Sequence, residues 1–218
     1  MPDTHHVTRG GEPLTFALSP TVSATKISVG PNDNNAYLLA GGGLVLIDAA
    51  DDAETLTSVL AGRVPDAIVT THRHADHWQA LSALARMGAR LVAGRPDAQA
   101  VADGAGVPLP DGVWDGGRVD LGPEHLDVVG LVGHTPGSIV LAYRGPDGPT
   151  HLFTGDSLFP GGPGKTWSPE DFESLMDDLE AKVFNRFDDD TVVHPGHGDG
   201  TTLGAERPHL AEWRARGW

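Results

Sequence analysis

Residues 71–78 read THRHADHW, placing three histidines and an aspartate within six positions, His72 to His77. Imidazole and carboxylate at that density suit a divalent cation, zinc above all. The chain has no cysteine, so any metal must be held by His, Asp or Glu. His72 and His74 alternate across a loop and can both reach one cation. Asp76 and His77 sit at the start of the next helix, displaced enough to serve a second. A solvated loop with chance histidines is the bland alternative, and the crowding of ligand types argues against it.

Three more segments carry residues of the same kinds: GHTPGS (133–138) with His134, TGDSLF (154–159) with Asp156, and HPGHGDG (194–200) with His194 and His197. Taken singly, each also reads as an ordinary turn or an Asx-turn. In the last pair His197, within the glycine-rich stretch, is the ligand candidate, and His194, at a strand end, the structural one. His5, His6, His125, His151 and His209 have no partner pattern and read as surface or packing residues.

The elements that must position these residues follow from periodicity. Strands are expected at 23–30, in a hairpin over 35–50, and at 67–71, 90–94, 125–132, 138–144, 150–155 and 190–196. Helices are expected at 51–64, 77–89, 95–106 with Pro96 in the first turn, 169–184, and 205–218. His72, His134, Asp156 and His197 each follow a strand, and loops at the carboxyl ends of strands are where α/β proteins gather functional groups. The order suggests two sheets with helices outside, in one domain over 1–218 whose halves meet near 104–124.

With 218 residues and 39% apolar content the chain can bury a sizeable core. Its net charge of −15 disfavours nucleic acid and anionic membrane partners. The N-terminal stretch shows no apolar run of signal-peptide length, so a cytoplasmic location is expected. Oligomeric state is not readable, though Trp213 or Trp218, if exposed, would mark a contact.

As a set, HRHADH, GHTPGS, TGDSLF and HPGHGDG, with LVLIDAA upstream, resemble the metallo-β-lactamase superfamily, and TGDSLFPGGPGKTW is similar to its glyoxalase II-like thiolester hydrolases. The resemblance implies a four-layer αββα sandwich, with His72, His74 and His134 on one metal, Asp76, His77 and His197 on another, and Asp156 bridging them. Asp48 matches a structural aspartate that supports ligands without being one. The implied reaction is attack by metal-bound hydroxide on an ester-like bond, with a small-molecule thiol conjugate in first place and Asp76 orienting the hydroxide. Two Zn²⁺ are expected, with Fe or Mn as alternatives. Lys165 is the candidate contact for a substrate carboxylate, although a solvated loop lysine is an equally plain reading. Two departures stand out. Trp167 replaces the usual Tyr, and 21 residues follow His197, too few for the helical domain that completes the glutathione site. The alternatives are a persulfide dioxygenase-like oxidoreductase with a single iron on His72, His134 and Asp156, and a lactonase.

Overall fold

A computed structural model describes residues 5–217. The first sheet takes seven strands in sequence order: β1 (Leu14–Ala17), β2 (Ser23–Ser28), β3 (Asn35–Ala40), β4 (Leu44–Ile47), β5 (Ala67–Thr70), β6 (Arg90–Gly94) and β7 (Asp111–Val113). Strands β1 to β4 pair antiparallel and β4 to β7 parallel. Between them lie α1 (Ala53–Leu60), α2 (Leu81–Leu84) and α3 (Ala98–Ala105).

The second sheet uses β8 (Arg118–Leu121), β9 (Glu124–Leu131), β10 (Ser138–Tyr143), β11 (His151–Gly155), β14 (Val192–Pro195) and β15 (Thr201–Thr202), in the order 15-14-11-10-9-8. A small hairpin, β12 (Leu158–Phe159) and β13 (Gly162–Pro163), follows β11. The helices of this half are α4 (Pro169–Asp178), α5 (Leu203–Glu206) and α6 (Leu210–Arg216).

The layers follow from period-2 alternation in strands buried on both faces. In β4, Val45 and Ile47 face the second sheet while Leu44 and Leu46 face α1 and α2. In β10, Ile139, Leu141 and Tyr143 join the same inter-sheet core, and Val140 and Ala142 pack toward Phe172, Leu175 and Met176 of α4. Helices on both outer faces complete the αββα sandwich. Among the described residues no helix is long and apolar enough to cross a membrane.

The expected strands form, most with shorter ends, and five short ones (β1, β7, β12, β13 and β15) arise where no strand is expected, as does β8. The helix expected over 77–89 does not form as one piece. It breaks into 3₁₀ turns at Ala75–His77 and Ala85–Met87 around the four residues of α2. The break falls where the N–H groups of Gln79 and Ala80 bond outside the segment, to the carbonyls of Ala50 and Ala49, which ties the turn bearing His77 to the chain after β4 and leaves α2 to start afresh. Pro96 lies ahead of α3, which begins only after Asp97. The segment 169–184 starts as expected, with Ser168 Oγ accepting Asp171 N–H at 3.0 Å, but its last six residues widen into a π-helix. Trp213 is 2% exposed and packs near Phe184, so it marks no surface contact. Trp218 lies outside the described residues.

Candidate metal centre

The loops after β5, β9, β11 and β14 converge at one edge of the sandwich. Nε2 of His72, Nδ1 of His74 and Nε2 of His134 form a triangle with sides of 3.1, 2.9 and 3.2 Å. Three ligands of a tetrahedral zinc at about 2.0–2.1 Å stand about 3.3–3.4 Å apart, so the triangle needs to open by only a few tenths of an ångström to fit a cation. Two of these nitrogens have their orientation set by hydrogen bonds at the far side of the ring. His134 Nδ1 donates to the carbonyl of Lys165 at 2.6 Å. His72 Nδ1 donates to Thr71 Oγ1 at 3.1 Å, since the Thr71 hydroxyl itself donates to Asp48 Oδ2 at 2.8 Å. Each then presents an unprotonated Nε2 to the centre.

A second group lies beside it. His77 Nε2 is 3.2 Å from His197 Nε2, and Asp76 Oδ2 is 3.4 Å from the same His197 nitrogen. His77 Nδ1 donates to Asp48 Oδ2 at 2.8 Å, and His197 Nδ1 donates to the carbonyl of Asn32 at 2.9 Å. Asp156 reaches both groups: Oδ1 is 3.3 Å from His77 Nε2, while Oδ2 is 3.3 Å from His197 Nε2 and 3.8 Å from His134 Nε2. Its Oδ1 is buried without a hydrogen-bond partner, a vacancy in polar bonding that a cation would satisfy. Among the described residues, ligand atoms cluster as His72, His74 and His134, as His72, His77 and Asp156, and as Asp76, His77 and His197.

Electrostatics agree with this division. Burial, reinforced by neighbouring imidazoles, holds His72 well below its usual pKa and His74 down to about 4, and burial also lowers His134. These rings are neutral at pH 7, the state that binds a metal. Burial opposes charge on His77 too, yet Asp48 and Asp156 outweigh it and hold His77 well above its usual value. The His77 side of the centre therefore favours positive charge.

Several contributors have no sequence signature. Asn34 Nδ2 donates to Asp76 Oδ2 at 3.0 Å, and its backbone bridges to His197. Lys26, buried in β2, donates to the carbonyl of Gly198 at 2.5 Å, and burial lowers its pKa to about 8. Gly196 is required by packing, since a Cβ there would stand 2.3 Å from Asp156 Oδ1. By contrast Asp48, the residue after β4 that the sequence resemblance singles out as a support, adopts φ 57° and directs its carboxylate to Thr71 and His77 rather than to the centre.

A cavity of about 370 Å³ opens beside His134 and Asp156, walled by Phe159, Pro160, Pro163 and Lys165. Lys165 Nζ lies 4.4 Å from the centre of the Trp167 ring, and Trp167, 64% exposed, stands edge-on to His74 at 6.1 Å. Among the other histidines, His194 is buried and stacks on His151, with Nε2 to Nδ1 at 3.0 Å.

The family described as the metallo-beta-lactamase superfamily matches residues 29–197. A hydroxyacylglutathione hydrolase of Anaeromyxobacter dehalogenans is 37% identical over 169 residues, 76% of this chain and 61% of that protein. A second such relative is covered over 64% of its length, so the chain spans about three fifths of the hydroxyacylglutathione hydrolases it matches. Among solved structures, TTHA1623 in a di-iron-bound form is 32% identical with a TM-score of 0.67, covering 84% of this chain and 96% of that one. ETHE1 from Myxococcus xanthus is 25% identical with a TM-score of 0.71, covering 88% and 84%.

Proposed function

The chain belongs to the metallo-beta-lactamase superfamily, and on that premise we propose that it is a two-cation hydrolase of ester-like bonds, with thiolesters as the substrate class. The observation that carries this is the position of Asp156 between two ligand groups. One cation would sit among His72, His74 and His134, another among Asp76, His77 and His197. Two divalent cations held there would supply hydroxide at neutral pH and neutralise charge developing on a carbonyl oxygen. Asp76, whose Oδ2 accepts from the Asn34 amide, would orient the attacking hydroxide while ligating. Lys165, which lines the cavity, and Trp167 beside it would offer a cation and an apolar face to the part of the substrate remote from the scissile bond. Hydrolysis of a thiolester by water gives a carboxylate and a thiol, and no protein nucleophile is consumed.

A second reading places one iron on His72, His134 and Asp156, a two-histidine, one-carboxylate set suited to oxygen chemistry. The similarity to ETHE1 lends it weight, whereas the similar TTHA1623 is described in a di-iron-bound form, a two-metal occupancy. The one-iron reading leaves Asp76, His77 and His197 converged without a task, which is why it ranks second.

The test is hydrolysis of a thiolester such as S-lactoylglutathione by metal-loaded protein. His72→Ala is expected to lower kcat by about 10²-fold or more, as loss of a transition-state charge stabiliser does. Wild-type rates from His72→Ala, or from metal-stripped protein, would refute the proposal.

A further inference from the structure

The loop bearing His72 and His74 leaves β5 of the first sheet, and the loop bearing His134 leaves β9 of the second. Three imidazoles can meet within 2.9–3.2 Å only if those loops are held at a fixed separation. One side chain touches both. Oδ2 of Asp97 accepts the backbone N–H of Arg73, between His72 and His74, at 3.0 Å, and the hydroxyl of Thr135, next to His134, at 2.6 Å. We propose that Asp97 is a positioning residue for the three-histidine end of the centre, a clasp between the two sheets.

Three observations support this assignment. Asp97 immediately precedes α3, where an aspartate ordinarily caps its own helix, yet its side chain makes no capping bond. The carboxylate is turned from local duty toward the two loops. It is also fully buried, and Oδ1 has no hydrogen-bond partner, so the polar bonding that offsets its desolvation runs through Oδ2. Finally, the segment GHTPGS is shaped around it. Thr135 gives its only hydroxyl hydrogen to Asp97, so it must accept from Ser138 Oγ at 2.7 Å. A Cβ at Gly137 would stand 2.5 Å from the Asp97 nitrogen and 2.7 Å from its Cγ, so this approach requires glycine. Thr135, Gly137 and Ser138 thereby gain a role that ligation by His134 leaves unexplained.

The inference rests on cation binding at the first group, and the test separates the two claims. Zn²⁺ is titrated against a competing chelator into metal-stripped wild type, Asp97→Ala, Asp97→Asn and Thr135→Val, each checked for folding by thermal melt. Asp97→Ala is expected to weaken one of the two bound Zn²⁺ by about 10–100-fold while the other changes much less. Asp97→Asn keeps a carbonyl oxygen for both donors and should recover most of the affinity, with Thr135→Val intermediate. A merely structural role would lower the melting temperature without this selective loss. Wild type that binds no Zn²⁺ refutes both the site and the inference. Wild-type affinity in folded Asp97→Ala, or equal weakening of both cations, refutes the inference alone. If Asp97→Ala does not fold, unaltered binding by Thr135→Val refutes it instead.

Discussion

Nδ1 of His77 stands 2.8 Å from Oδ2 of Asp48, both side chains being buried, and the opposite ring nitrogen faces His197 and Asp156. An ionised carboxylate only accepts, so Nδ1 of His77 keeps its proton, and Nε2 is the nitrogen that a cation would take in exchange for a proton. The same carboxylate accepts from Thr71 N–H at 2.7 Å and from the Thr71 hydroxyl at 2.8 Å. In Asp48→Asn, either orientation of the amide sets its NH₂ against at least one of these donors. The variant is expected to bind the His77-side cation about 10–100-fold more weakly. It should also lose about 1–3 kcal/mol of stability. Elemental analysis after dialysis checks the first part, and two tightly retained cations would count against this role for Asp48.

Stability should depend on pH through the stacked pair His151 and His194. Burial holds His151 down to about 4 and His194 well below its usual value, whereas both titrate near 6.5 when unfolded. Between pH 6.5 and 4 the unfolded chain binds protons that the folded chain refuses. Stability therefore falls as pH falls through that window, by up to about 1.4 kcal/mol per pH unit for each group. Urea midpoints of metal-stripped protein at pH 7 and pH 5 measure the slope. His151→Gln should flatten it relative to wild type, since the candidate ligand histidines titrate in both proteins. Equal slopes would contradict the assignment.

Lys165 acts in two separable ways. Its carbonyl fixes His134, and its ammonium lies over the Trp167 ring. Lys165→Ala removes only the second. For a thiolester with an anionic group remote from the carbonyl, KM is expected to rise about tenfold with kcat little changed, and the difference should shrink as salt is added. A fall in kcat at unchanged KM would mean that the ammonium does not serve binding.

Ligand-type residues were legible in the sequence because ligation demands particular side chains at close spacing. His72 to His77, His134, Asp156 and His197 could be chosen by type and by their place after strands. Asp48 apart, which the family resemblance singles out, the groups that hold them could not, since they act through backbone carbonyls of Asn32, Lys165 and Gly198 or through residues remote in sequence such as Asn34 and Asp97. The sandwich layers were legible from strand periodicity, while the helix expected over 77–89 is interrupted where Gln79 and Ala80 bond to residues 50 and 49, a contact remote in sequence that no local period reports. The short strands β7 and β15 have three and two residues, too few to show a period.

The central claim is that Asp156 serves two cations, and metal content measures it most directly. Protein purified without added metal, then offered Zn²⁺ and Fe²⁺ anaerobically and dialysed, should retain two divalent cations per chain. His197→Ala should retain one and Asp156→Ala fewer than His197→Ala, with thiolester hydrolysis falling in parallel. A single iron per chain, unchanged in His197→Ala and accompanied by oxygen uptake on a persulfide substrate, would contradict the account.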